Sequence, residues 1–163
     1  MIKKYTPEDD LKELVSMIRE IWLEHYTPII GCEQVEYMLE RFQSEDPIKR
    51  QMTEDRYQYF GIFADGVLAG YYAVQALEDR FVFLSKFYTR KSFRGRGFGK
   101  MMLSHLEKQW KPLGKSRVWL TVNKNNADSI AIYKKLGFSI IEEIVADIGN
   151  GFVMDDYKME KEF

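Results

Sequence analysis

At 163 residues the chain suits one domain built on one core, long enough to fold without disulfides or metals. Its net charge is -1, which argues against a general nucleic-acid or membrane-surface binder. Cys32 is the only cysteine, so no internal disulfide can form, and no apolar run reaches the roughly 18 residues of a membrane span.

The N-terminus lacks the apolar run of a secretory signal, so a cytoplasmic location is expected. Ile2 to Tyr5 reads as a short strand. Thr6-Pro7-Glu8-Asp9 reads as a helix start, with Thr6 as N-cap and Pro7 in the first turn. Leu11, Leu14, Val15, Ile18, Trp22 and Tyr26 recur at helical spacing, and the helix is expected to end near Tyr26, before Pro28. Val35, Met38, Leu39 and Phe42 predict a second helix after Gly31, and 47–55 a further helical turn or two.

Strands are predicted over 57–64 and 67–77, joined by the hairpin signal Asp65-Gly66. A long strand over 81–89 is apolar on both faces at first, so it belongs in the middle of a sheet. Phe98, Met102, Leu103, Leu106 and Trp110 form a helical stripe that Pro112 and Gly114 end. A strand over 117–122 and a helix over 127–136, closed by Gly137, come next. The rest reads as a hairpin, 138–147 and 152–160, turning through Gly149-Asn150-Gly151. Phe152 and Met154 share one parity, Tyr157 and Met159 the other, and an exposed bulge at Asp155-Asp156 would reconcile them. No repeat, low-complexity segment or linker divides the chain, so residues 1–163 are expected to form a single mixed α/β domain.

The chemistry sits in Arg94-Gly95-Arg96-Gly97-Phe98-Gly99-Lys100. Strand, basic Gly-rich turn and helix in that order make an anion site. The glycines let backbone approach a phosphate, and the first helical turn offers unpaired N–H groups and the positive end of the dipole. Arg94, Arg96 and Lys100 add charge. The spacing fits neither the Walker P-loop nor the Rossmann turn. By itself it specifies a phosphate or diphosphate cradle.

A second motif runs through Leu120-Thr121-Val122-Asn123-Lys124-Asn125-Asn126 to Ala131-Ile132-Tyr133-Lys134-Lys135-Leu136-Gly137-Phe138. Together with Arg94-x-x-Gly97-x-Gly99, it resembles the GCN5-related N-acetyltransferase (GNAT) superfamily over about residues 57–160. The resemblance implies a central sheet of about six to seven strands flanked by helices. Its N-terminal part is antiparallel, with a parallel pair at the coenzyme site. It implies acetyl-coenzyme A as cosubstrate and direct acetyl transfer to a primary amine. Phe87, Tyr88 and Thr89 would pair their backbone with the pantetheine arm, with the Tyr88 N–H holding the carbonyl oxygen. Arg94, Gly95, Arg96, Gly97, Phe98, Gly99 and Lys100 would cradle the pyrophosphate. Asn126 and Ser129 would meet the coenzyme from the next helix, and Tyr133 would be the general acid beside the thioester sulfur.

Relatives often carry a glutamate on the central strand as base. Here 81–88 holds no carboxylate, and Ser85 and Lys86 are not convincing bases. The base stays open between a water chain and Glu33, Glu78 or Asp155. A non-catalytic acyl-coenzyme A sensing module is the alternative reading. No residues have metal-site spacing, so no metal is expected. His25 is a candidate acceptor contact; His105 is expected on a solvated helix face, and Cys32 is expected to be inert. The segment from Val118-Trp119-Leu120 to Tyr133-Lys134-Lys135, with Met154-Asp155-Asp156-Tyr157, resembles bacterial polyamine (spermidine) acetyltransferases. Protein amines and other small amines fit the superfamily equally, and the superfamily also admits a homodimer.

Overall fold

Apolar spacing and turn chemistry resolve into twelve elements. They are β1 (Ile2–Lys4), α1 (Lys12–Ile30), α2 (Cys32–Phe42), α3 (Glu45–Thr53), β2 (Tyr57–Ala64), β3 (Val67–Ala76), β4 (Phe81–Thr89), α4 (Phe98–Trp110), β5 (Arg117–Asn123), α5 (Ala127–Lys135), β6 (Ser139–Gly149) and β7 (Phe152–Glu162). The computed structural model describes residues 1–163, and its seven strands form one sheet in the order β1-β2-β3-β4-β5-β7-β6. β4 and β5 are parallel and the other neighbours antiparallel. No helix is long and apolar enough to cross a membrane.

The sheet separates two apolar cores. On one face Leu14, Ile18 and Trp22 of α1 pack with Val35, Met38 and Leu39 of α2 against Tyr59, Tyr71 and Ala73. On the other, Leu103, Leu106 and Trp110 of α4 and Tyr133 of α5 pack against Val74, Leu84, Val118 and Leu120. Each fully buried Leu or Ile contributes about 1.5–3 kcal/mol relative to exposure. A buried polar chain locks the first face. Trp22 Nε1 donates to the Tyr71 hydroxyl (3.0 Å), which donates to Gln43 Oε1 (3.1 Å), and Gln43 Nε2 donates to the Tyr59 hydroxyl (3.0 Å). It fixes α1 and its later residues His25 and Tyr26 over the sheet.

Four sequence expectations are corrected. Thr6 is not an N-cap. Its N–H and hydroxyl donate to the Asp9 carboxylate, closing a turn, and α1 starts at Lys12. α1 also runs through Pro28 to Ile30, so proline forfeits one amide bond in the last turn without ending the helix. The terminal hairpin has its register shifts in β6, at Ile140/Glu142 and Asp147/Gly149, and β7 is regular through Asp155-Asp156. β7 needs no bulge because both its faces are covered. Met154 packs on the α1 and α2 core, and Tyr157 and Met159 pack on the opposite one. Asp156 shares the parity of Met154 and is buried, at 3% exposure. His105 likewise faces inward, its Nδ1 hydrogen-bonded to the Tyr72 hydroxyl, and burial lowers its pKa.

Candidate active site

β4 and β5 pair only over Phe81–Phe83 and Arg117–Trp119, where Phe83 stacks on Trp119 with ring centroids 4.2 Å apart. Beyond that point β4 keeps β3 on one edge, and no strand pairs with the other. A bulge at Ser85, where the pairing steps from Val74↔Leu84 to Ala73↔Lys86, bends β4 there. The end of β4, the Gly-rich turn, the start of α4, α5 and His25 of α1 line a cavity of about 730 Å³.

The free edge has a definite register. The Arg90 N–H bonds Ala69 O at 2.8 Å, so Tyr88 and Arg90 turn their backbone groups toward β3. Alternation turns those of Phe87 and Thr89 to the free edge, and Arg94 Nε meets the Thr89 carbonyl there at 3.0 Å. The expected Tyr88 oxyanion donor is thereby corrected: its N–H is committed to the sheet, while the Phe87 and Thr89 amides face the cleft.

The Gly-rich turn behaves as its composition requires. Gly95 and Gly97 have φ of +73° and +84°, and Gly97 is the N-cap of α4. The first helical bond runs from Met101 N to Gly97 O at 3.1 Å, so the amides of Phe98, Gly99 and Lys100 have no helical acceptor. Those residues line the cavity, as do Phe87, Tyr88, Thr89, Arg94, Gly95, Gly97, Ser129 and Tyr133. Two predicted residues do not line it. Arg96 lies over the Phe93 and Phe98 rings, and Asn126 is buried at 2% exposure. Arg94 is tied back to α1 through both Glu24 carboxylate oxygens, at 3.1 and 3.2 Å. The sequence reading missed Asp128, Ile132 and Leu136, which line the cavity with Ser129 and Tyr133. Their helical spacing along one face of α5 was the available signal.

At the inner end lies a knot of polar side chains. Asn126 caps α5, its Oδ1 accepting from the Ser129 N–H at 3.3 Å, and His25 Nε2 lies 3.1 Å from the same oxygen. The Tyr26 and Tyr88 hydroxyls are 2.8 Å apart. Burial pushes Tyr26 up to about 12 and carries Tyr88 and Tyr133 well above the usual phenol range, so all three stay protonated at neutral pH. Burial also lowers the Lys86 ammonium to about 8; its Nζ donates to Ser85 Oγ at 2.8 Å and lies over the Trp22 ring.

Asp156 is the buried carboxylate of this region. Its Oδ1 has no hydrogen-bond partner, and neither has Asn126 Nδ2. Burial raises its pKa to about 6, with the Thr121 hydroxyl favouring the anion, Asp155 opposing it and Lys124 favouring it. The raised value stabilises the fold while the carboxyl is protonated, and that stability is lost as pH rises from the ordinary 3.8 through about 6. The unfolding free energy of the wild type, relative to Asp156→Asn, is expected to fall by about 2 kcal/mol between about pH 4 and pH 7. Denaturant titrations across that range check it; a difference independent of pH would show an ordinary, solvated carboxylate.

The other candidate bases are elsewhere. Glu33 is exposed at the start of α2, and Asp155 is paired with Lys124 at 2.8 Å. Glu78 precedes β4, at the end opposite the cleft. No group of three or more His, Cys, Asp or Glu is placed to hold a metal ion.

Comparison with known proteins follows the same outline. Residues 15–138 match the acetyltransferase (GNAT) family. An uncharacterized N-acetyltransferase of Lactobacillus delbrueckii subsp. lactis is 25% identical over 150 residues, covering 88% of this chain and 87% of that protein. The ribosomal protein bS18 alanine N-acetyltransferase of Salmonella typhimurium is 33% identical over 85 residues, 52% of this chain and 57% of its own. The crystal structure of PaiA N-acetyltransferase from Thermoplasma acidophilum, in complex with coenzyme A, has the same fold. It superposes with a TM-score of 0.83 at 24% identity, over 100% of this chain and 98% of that one.

Proposed function

The chain belongs to the acetyltransferase (GNAT) family and is an N-acetyltransferase, and we propose that it transfers the acetyl group of acetyl-coenzyme A directly to a primary amine. One observation carries the reading: the unpaired amides at the start of α4 and the Tyr133 side chain line one cavity beside the free edge of β4. The cavity suits a ligand with a diphosphate at one end and an extended amide-bearing arm. The coenzyme-bound PaiA relative supports the same choice of ligand. One continuous sheet from β1 to β7 supports reading residues 1–163 as a single catalytic domain.

The residues would divide the work as follows. Amides of Phe98, Gly99 and Lys100 hold the pyrophosphate, with the Lys100 ammonium adding charge. Phe87 and Thr89 offer backbone groups to the pantetheine amides, and one of their N–H groups stabilises negative charge on the reacting carbonyl oxygen. When bound, acetyl-coenzyme A supplies the activated acyl thioester. Tyr133 protonates the departing thiolate. An alkylammonium of pKa about 10.4 must lose a proton before it can attack, which costs about 5 kcal/mol at pH 7 unless a base assists.

The acceptor lies on the side of α1 and β7, where His25, Tyr26 and Asp156 stand. A buried carboxylate there favours a cationic amine and weakens the sensing-module reading, which rested on the lack of a carboxylate on β4. Turnover with acetyl-coenzyme A is to be measured on spermidine, a lysine peptide, an N-terminal alanine peptide and an aminoglycoside, following thiol release. Saturable turnover on one of them is expected, with spermidine the first choice from the sequence likeness. Tight coenzyme binding with no turnover on any would sink the transferase reading.

A further inference from the structure

We propose that Asp156 is the proton acceptor for the amine substrate, and that the Asn126 amide holds the amine, or the water relaying its proton, beside it. The inference rests on the transferase reading above and names the base which that reading leaves open.

Two orphaned polar atoms carry it. Asp156 Oδ1 and Asn126 Nδ2 are both buried and make no well-aligned hydrogen bond, on residues 3% and 2% exposed, with Asn126 beside the Tyr26 hydroxyl. A buried polar group without a partner costs stability, and native proteins pair such groups with protein, water or ligand. One atom accepts and the other donates, the complement that an amine or a water offers. Asp156 faces Asn123 across the β5–β7 ladder, and Asn126 follows three residues later as the cap of α5.

The pair is joined to the cavity. Asn126 Oδ1 is shared by His25 and Ser129, and both of those line the cavity. Tyr26 feels the Asp156 charge and hydrogen-bonds Tyr88, which also lines it. Other nearby carboxylates are unsuited: Glu24 is committed to Arg94, and Asp128 is exposed in the first turn of α5. Asp156 faces Tyr26 from α1 and Thr121 from β5, with Lys124 and Asp155 at its rim. Its charge is therefore not cancelled by a buried cation; Lys124 is engaged with Asp155 and Glu143.

The protons balance. An N–H bond of the ammonium breaks and an O–H bond forms on Asp156, which later releases that proton to solvent. The neutral amine then forms the C–N bond as the thioester C–S bond breaks. Tyr133 gives its proton to the thiolate and regains the second proton lost by nitrogen.

The test uses the panel amine with the highest kcat/KM. Asp156→Asn is expected to lower kcat/KM at pH 7 by about 100-fold or more. The deficit should shrink as pH approaches the pKa of the amine, because neutral amine then needs no base. Coenzyme affinity by calorimetry should be unchanged, and the melting temperature unchanged or raised. The wild-type kcat/KM profile should show an acid limb near pH 6, and the variant should lose it. Should the variant not fold, the wild-type limb decides alone, and its absence overturns the assignment. A loss equal at every pH, or one accompanied by weaker coenzyme binding, also overturns it. Wild-type turnover that Asp156→Asn leaves intact sinks Asp156 only; a wild type silent on every amine sinks the transferase reading with it.

Discussion

Gly97→Val is expected to abolish acetyl-coenzyme A binding, with affinity falling beyond about 100-fold while the protein still folds. Gly97 has φ of +84° at the N-cap of α4. A β-branched residue held there costs about 1–3 kcal/mol of strain, so the turn would relax and swing its amides away. Each hydrogen bond from those amides to a charged phosphate contributes about 1.5–3 kcal/mol, so misaligning two of them suffices for the loss. No protein atom lies within 4 Å of where the Cβ would stand, so the new side chain would project toward solvent or ligand and leave the core intact. Gly66 supplies the control. It has φ of +79° in the β2–β3 hairpin and equally open surroundings. Gly66→Val should cost similar stability yet bind coenzyme normally. Calorimetry on both variants, with circular dichroism for folding, separates strain from loss of the cradle. Normal affinity in folded Gly97→Val would end the pyrophosphate assignment.

The Gly-rich turn between β4 and α4 was legible in the sequence because it is local. A strand, alternating glycines and a helical stripe are all contained in 81–110, and the structure returns β4 at 81–89 and α4 at 98–110. The hairpin at Asp65-Gly66 was legible for the same reason; both residues have positive φ, as a two-residue turn demands. The polar cluster of His25, Tyr26, Asn126 and Asp156 was harder to read because it is assembled from distant segments. Asp156 belongs to a strand covered on both faces, so its apolar residues occur at both parities and imitate a bulge. Counting alternation from Phe152 and Met154 through Asp156 would have put its carboxyl inside. The Tyr88 error has a different origin. Which amides of β4 face the cleft depends on pairing with β3, a long-range register that the residues of β4 do not encode. Pro28 was misread because the packing of α1 outweighs one lost hydrogen bond.

Tyr133→Phe is expected to lower kcat by about 10²–10⁴-fold and leave coenzyme affinity unchanged. The ring is held by packing, with centroids 6.1 Å from Phe87 and 5.9 Å from Phe138, so phenylalanine should fill the same space at the same melting temperature. What is lost is a proton donor. Burial and the neighbouring Tyr26 keep this phenol far above the usual range, so it is fully protonated when a thiolate appears. The same elevation makes it a poor donor unless it is reprotonated at once, which couples it to the proton leaving the amine nitrogen. Single-turnover measurements must show that chemistry limits the rate; unchanged turnover under that condition removes Tyr133 from the mechanism. The two ends of the proton path are then separable by pH. Tyr133→Phe should depress the whole kcat/KM profile and keep the acid limb near pH 6, because Asp156 still has to ionise. Asp156→Asn should remove that limb. A Tyr133→Phe profile that also lost it would mean that the two groups titrate as one unit, with the proton path running through Tyr26 between them.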